Sequence, residues 1–167
     1  MNSALRHAPL EPKRQNPRPK RHEPNPHGAR RRGLNKDRDV IGLVRPAIDA
    51  HTLGLSSAAQ LLEECGFKTV MADARIAAAV ADLQNPKHQE LLEKWLRDNR
   101  LTQLGFSYRL DPGSGAEFFG RLYQFLERKR LVKERGGTVA GLFFAGLPEA
   151  ADRVKAEFGD RVEVFYG

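Results

Sequence analysis

Five short apolar segments alternate with longer amphipathic segments between residues 39 and 167, and this alternation constrains the fold more than any other feature. The apolar segments are DVIGLVRPAI, FKTVMA, LTQLGFSYRL, TVAGLFFAG and RVEVFYG. Each has the length of a strand, whereas the segments between them carry apolar residues at helical spacing. Strands that alternate with helices form a parallel sheet with right-handed crossovers. The sequence therefore predicts one α/β domain over residues 39–167.

Five strands in this cadence are typical of the flavodoxin-like, or Rossmann-like, three-layer sandwich with a parallel sheet of order 2-1-3-4-5. The segment TVAGLFFAG is wholly apolar, which predicts that the fourth strand is covered on both faces. In such a sheet the direction of winding reverses between strands 1 and 3, and ligands bind in the crevice at their carboxyl ends. The fold alone thus points to this crevice as the place for a functional site.

Capping residues predict where the helices begin. Asp73 is expected to cap the helix ARIAAAVADL, and Asn85, followed by proline, opens KHQELLEKWLRDN. Two further starts are predicted from pairs at capping-box spacing, Ser57 with Gln60 and Ser114 with Glu117. The stretch DPGSG, residues 111–115, is then interpreted as a loop of small residues beside a deep slot.

Polar and small residues gather at the carboxyl ends of strands 1, 3 and 4. They are Asp49, His51, Thr52, Leu53 and Gly54 after strand 1, Ser107 and Arg109 at the end of strand 3, and Ala145 and Gly146 at the end of strand 4. Because the carboxyl ends of parallel strands meet at one edge of a sheet, these residues are predicted to line one site.

The pair formed by Asp49 and His51 suggests the chemistry of this site. A carboxylate beside an imidazole can hold one ring nitrogen by a hydrogen bond and leave the other nitrogen free for a metal. Gly54 removes a side chain where the next helix begins, so that a bulky group can approach the backbone. A structural or solvated Asp–His pair is the alternative interpretation. A phosphate-binding loop is not indicated, because there is no glycine-rich run with a lysine.

The spacing Asp49-x-His51-x-x-Gly54 resembles the D-x-H-x-x-G motif of cobalamin (vitamin B12)-binding domains of the methylmalonyl-CoA mutase, aminomutase and methionine synthase type. Those domains have the same five-stranded flavodoxin-like fold. The resemblance implies that His51 replaces the dimethylbenzimidazole base as the lower ligand of cobalt and that Asp49 tunes it. It also implies that the displaced nucleotide tail enters a channel between the sheet and a neighbouring helix.

The resemblance extends from about residue 39 to residue 167. Ser107 falls at the serine of the family's S-x-L motif, and FFAG falls where the family has a strand ending in two glycines, so that Gly54, Ser107 and Gly146 would line the tail channel. Two departures would narrow that channel: Arg109 stands where the motif has leucine, and Ala145 replaces the first glycine. The last helix of the family is not present after strand 5, which predicts a partly bare sheet face for a partner.

The implied function is that of a cobalamin-binding module or small subunit of an isomerase (mutase). The wording DAHTLG favours adenosylcobalamin over methylcobalamin, and the substrate site would belong to a larger barrel-type catalytic subunit. No catalytic acid or base is evident in this chain. The alternative is a cofactor-free domain of the same fold that serves regulation or protein interaction, with homo-oligomerisation possible in either case.

Charge is concentrated at the N-terminus. Residues 1–38 hold 11 of the 28 Lys and Arg but only 3 of the 21 Asp and Glu, together with 6 of the 10 prolines, which predicts a disordered basic tail. No aromatic residue interleaves these charges, so specific nucleic-acid binding is not expected. No apolar run approaches the ~20 residues of a membrane span. One cysteine, Cys65, excludes an intramolecular disulfide, and a cytoplasmic location is the expectation.

Overall fold

The structure is a computed structural model that describes residues 33–167. The predicted tail, residues 1–38, therefore falls for the most part outside the described residues. Its last three residues form a turn, in which the Asn35 N–H donates to the Asp39 carboxylate (2.7 Å). The first strand follows directly.

Five strands and five α-helices follow in alternation. They are β1 (Val40–Val44), α1 (Leu53–Glu64), β2 (Lys68–Met71), α2 (Ala74–Ala81), α3 (Pro86–Asp98), β3 (Gln103–Tyr108), α4 (Pro112–Arg128), β4 (Gly141–Gly146), α5 (Pro148–Phe158) and β5 (Glu163–Tyr166). All strand pairs are parallel, in the order β2-β1-β3-β4-β5. The predicted α/β class and the flavodoxin-like order 2-1-3-4-5 are therefore confirmed. None of the helices among residues 33–167 is long and apolar enough to cross a bilayer.

The main core lies on one face of the sheet, which we call the α4 face. Its strand residues include Val44, Leu104, Phe106, Leu142 and Phe144. Aromatic rings from strands and helix interlock there: Phe119 of α4 meets Phe106 edge-on at 5.6 Å and Phe144 at 5.4 Å between centroids. Such edge-to-face pairs add to the free energy gained by burying the rings.

The opposite face, which we call the α1 face, is only partly covered. Leu55 and Ala59 of α1 pack on Ile41 and Leu43 of β1 in a small second core. Towards β5 the cover is thinner, and Phe165 keeps 51% of its surface exposed. Burial along β4 alternates accordingly, so the expectation that this strand is covered on both faces is wrong. The helix α1 reaches the β1 side of this face and leaves the β5 side open.

Two of the predicted helix caps are confirmed. The Asp73 carboxylate accepts from the Ile76 N–H (2.9 Å), and the Asn85 side chain accepts from the Lys87 N–H (3.0 Å). Both bonds satisfy backbone donors that the first turn of a helix leaves without an intrahelical partner.

Both predicted capping boxes are wrong. Helix α1 begins at Leu53, so Ser57 lies inside it. Helix α4 begins at Pro112, and the Asp111 carboxylate caps it by accepting from the Ser114 N–H (2.8 Å). The stretch DPGSG is therefore the first turn of a helix, and no slot of loop residues forms there.

Candidate functional site

The segment between β1 and α1 carries the predicted ligand and is fixed by backbone bonds. The Asp49 N–H donates to the Pro46 carbonyl (3.0 Å), and the Ala47 N–H donates to the Ala77 carbonyl of α2 (2.9 Å). The Arg45 guanidinium donates to the Asp49 carbonyl. Sequence reasoning missed Arg45, although a cation placed directly before Pro46 could have drawn attention to it. These contacts hold Asp49 at the carboxyl edge of the sheet.

Asp49 is a buried carboxylate with three donors. It is 0% exposed, Oδ1 accepts from the His51 N–H (2.9 Å) and from His51 Nδ1 (2.8 Å), and Oδ2 accepts from the Arg109 N–H (2.8 Å). Burial alone would raise the pKa of Asp49. The bonds from His51 and from the Arg109 backbone outweigh it and hold that pKa below its ordinary value. The carboxylate is therefore ionised at neutral pH and joins the end of β1 to the end of β3.

His51 presents its second ring nitrogen outward. The side chain is 57% exposed, and its Nδ1 lies against the ionised Asp49 carboxylate. Since a carboxylate only accepts, Nδ1 carries the proton and the lone pair belongs to Nε2. No hydrogen bond within residues 33–167 involves Nε2. The arrangement is an oriented imidazole with a free donor atom, which is how metal-ligating histidines are commonly held.

The next three predicted residues form the start of α1. Thr52 is the residue before the first turn and makes no side-chain capping bond, while Leu53 is among the most exposed apolar residues. Gly54 lies beside the Arg109 guanidinium: a Cβ at this position would stand 3.8 Å from its Cζ atom. The absence of a side chain at residue 54 thus keeps the backbone of α1 accessible next to Arg109.

Ser107 and Ala145 lie side by side on the α1 face. They pair in register between β3 and β4, and Ser107 is buried. Gly146 has the opposite orientation, because a Cβ there would stand 2.8 Å from the Phe144 ring and from the Tyr108 carbonyl oxygen on the α4 face. The structure therefore brings Ser107 and Ala145 to the face beside α1 but does not bring Gly146 there.

Arg109 reaches across the carboxyl edge of the sheet. Its guanidinium lies between Gly54 at the start of α1 and Gly167 after β5, and we call the space between these two glycines the edge gap. Gly167 is itself held by a bond from its N–H to the Gly146 carbonyl (3.0 Å). Within residues 33–167 no side-chain carboxylate forms an ion pair with this guanidinium, whose nearest neighbours across the edge gap are the backbones of Gly54 and Gly167.

The donor set of the site is a single oriented imidazole. No group of three or more His, Cys, Asp or Glu side chains among residues 33–167 is placed to bind a bare metal ion. A corrin ring supplies four equatorial nitrogens to its cobalt and needs one further ligand from below. One exposed imidazole with a fixed orientation fits that requirement.

Fold and site together define a flavodoxin-like α/β domain with an exposed, carboxylate-held histidine at the carboxyl edge of its sheet. Comparison of the chain with protein-family models and with curated proteins found no match. The function is therefore argued from the residues.

The lowered pKa of Asp49 predicts a contribution to stability that depends on pH. A carboxyl whose pKa is lower in the folded state than in the unfolded state stabilises the fold at pH values above its unfolded pKa, which is about 3.9 for aspartate. That stabilisation is lost as the pH falls through the folded pKa. We expect urea denaturation at pH 5, where the Asp49 carboxyl is ionised in the folded protein, to show a gap in unfolding free energy between the wild type and Asp49→Asn. The gap should shrink below about pH 4. A gap that stays constant to lower pH would contradict this assignment.

Proposed function

We propose that the domain binds cobalamin in its base-off form, with His51 Nε2 as the lower axial ligand of cobalt. The observation that carries the proposal is the bond between Asp49 Oδ1 and His51 Nδ1 (2.8 Å) beneath an exposed ring. Such a bond fixes the tautomer and the direction of the imidazole and leaves Nε2 as the nitrogen available to a metal. The Asp49 carboxylate is the positioning group, and His51 touches the metal.

We propose the α1 face as the site of the displaced nucleotide tail. Ser107 and Ala145 lie on it below the edge gap, and the sheet remains open towards β5. The rings of Phe143 and Phe165 lie 6.2 Å apart on this open part and offer an apolar surface to a flat aromatic base. Gly54 at the start of α1 adds no side chain there, and the group nearest to its missing Cβ is the Arg109 guanidinium.

The proposed role is that of a cofactor-carrying subunit of an adenosylcobalamin-dependent mutase. A bound adenosylcobalamin supplies a weak cobalt–carbon bond as a source of radicals, and the protein's part is to bind and orient it. The substrate would be bound and turned over on a separate, barrel-type catalytic subunit, as the resemblance to cobalamin-binding domains implies. A methylcobalamin-dependent methyl transfer is the less favoured form of the same proposal.

A second candidate is a cofactor-free interaction domain of the same fold. It is favoured by the Arg109 guanidinium in the edge gap and by the methyl group of Ala145, both of which occupy space on the side of the proposed channel. In this case the exposed rings of the β5 side would contact another protein.

Equilibrium dialysis against hydroxocobalamin distinguishes the two candidates. The protein should retain the cofactor, and after reduction to cobalt(II) a uniformly ¹⁵N-labelled sample should show each parallel cobalt line split into a doublet by one protein nitrogen. Free cobalamin shows triplets from its own ¹⁴N base. Failure to retain hydroxocobalamin, adenosylcobalamin or methylcobalamin would exclude the cobalamin proposal and favour the interaction domain.

A further inference from the structure

We propose that Arg109 binds the phosphodiester of the cobalamin nucleotide tail and thereby selects corrinoids that carry a complete tail. The inference rests on the proposed function and adds a specificity-determining residue to it. It assigns a role to Arg109, whose positive charge would not be expected in an apolar channel.

The position of the Arg109 side chain supports this role. The Arg109 guanidinium lies in the edge gap, with the Gly54 backbone on one side and the Gly167 backbone on the other. If His51 holds the cobalt and the tail lies on the α1 face as proposed above, the tail would pass the start of α1. The Arg109 guanidinium would then lie beside that path.

The charge of the Arg109 side chain also supports this role. The guanidinium makes no ion pair and no side-chain hydrogen bond within residues 33–167, and the first turn of α1 contains no acidic residue. The nearest functional carboxylate, Asp49, has its oxygens engaged by His51 and by the Arg109 backbone. The tail carries one anionic phosphodiester, and a planar guanidinium binds such a group through two parallel N–H donors. Arg109 is therefore a cation of complementary charge that no side-chain carboxylate of residues 33–167 engages.

The backbone and the side chain of Arg109 have different roles. The contact of Arg109 with Asp49 is made by its backbone N–H (2.8 Å), which a substitution leaves in place. Removal of the side chain should consequently alter recognition of the tail while the Asp49–His51 pair persists. An unchanged thermal melt of Arg109→Ala would verify that the fold is intact.

The test compares two probes, hydroxocobalamin and aquacobinamide, which has the same corrin but no nucleotide tail. Dissociation constants are measured by titration of the visible spectrum for the wild type, Arg109→Ala and Arg109→Lys. Arg75→Ala serves as the control, because this arginine is exposed and pairs only with Asp73 at the start of α2.

We expect Arg109→Ala to weaken hydroxocobalamin binding by about tenfold to a hundredfold, the effect of one charged hydrogen-bonded pair, and to leave aquacobinamide binding unchanged. Arg109→Lys should retain part of the preference, since it keeps the charge but not the fork. Unchanged or tighter hydroxocobalamin binding by Arg109→Ala would overturn the inference and identify the guanidinium as an obstruction. A wild type that binds neither probe would overturn the proposed function itself.

Discussion

Replacing His51 with alanine is expected to remove protein nitrogen from the coordination sphere of cobalt. His51 Nε2 is the only atom of the Asp49–His51 pair left free to donate a lone pair, because Nδ1 is engaged by the carboxylate. Without the imidazole, ¹⁵N-labelled protein reduced with bound cobalamin should lose the doublet splitting completely. The spectrum should then show either no nitrogen splitting or the triplets of the cofactor's own base.

A matched control is His88→Ala, because His88 on α3 also lies beside a carboxylate. Its Nδ1 is 3.3 Å from Asp82 Oδ2, but it belongs to α3 and not to the segments after β1 and β3 that form the site. This variant should keep the doublets of the wild type. Doublets that persist in His51→Ala would contradict the assignment of the ligand, even if the protein still bound the cofactor.

The second large effect is expected for Asp49→Ala, in the absence of any cofactor. The substitution leaves the backbone N–H groups of His51 and Arg109 without their acceptor at a site that is 0% exposed in the wild type. A buried donor left unsatisfied costs about 1–3 kcal/mol, and because His51 and Arg109 are exposed residues we expect the low end for each, a loss of about 2 kcal/mol in unfolding free energy. Urea denaturation at pH 7 measures it. Cobalt-bound cofactor, where retained, should be held about 10–100-fold more weakly because the ring is no longer oriented.

Asp73→Ala provides the comparison for this loss. Asp73 also accepts a backbone N–H, that of Ile76 (2.9 Å), but it stands exposed at the start of α2. Removal of such a helix cap costs about 1 kcal/mol. Equal losses for the two variants would show that Asp49 acts only as a local turn residue and does not join the two strands.

The fold was predictable because its main signal is periodic and repeated. Alternating strand and helix patterns fixed the class and the order 2-1-3-4-5, and isolated caps such as Asp73 were found correctly. The capping boxes failed because tertiary packing decides where α1 starts: Leu55 and Ala59 pack on β1 and extend the helix ahead of Ser57. The actual start of α4 carried its own signal, an aspartate followed directly by Pro112.

The site was predictable only in its local part. The spacing of Asp49 and His51 suggests their hydrogen bond, which is present in the structure. The burial of Asp49 depends on the backbone of Arg109, which lies 60 positions later, and no local pattern carries that information. Likewise, consecutive strand residues point to opposite faces, which is why Ala145 and Gly146 do not share one side of the sheet.

The bond from the Arg109 backbone to Asp49 has a kinetic consequence. The bond forms during folding and fixes the segment that carries His51. The conformational entropy of this segment is therefore lost on folding and not on binding of a corrin. Residues 45–52 would then need no ordering when a corrin binds. The rearrangements left for binding would then belong to the cofactor, which must release its own base and insert its tail, and differences in affinity among cofactors should appear as differences in residence time.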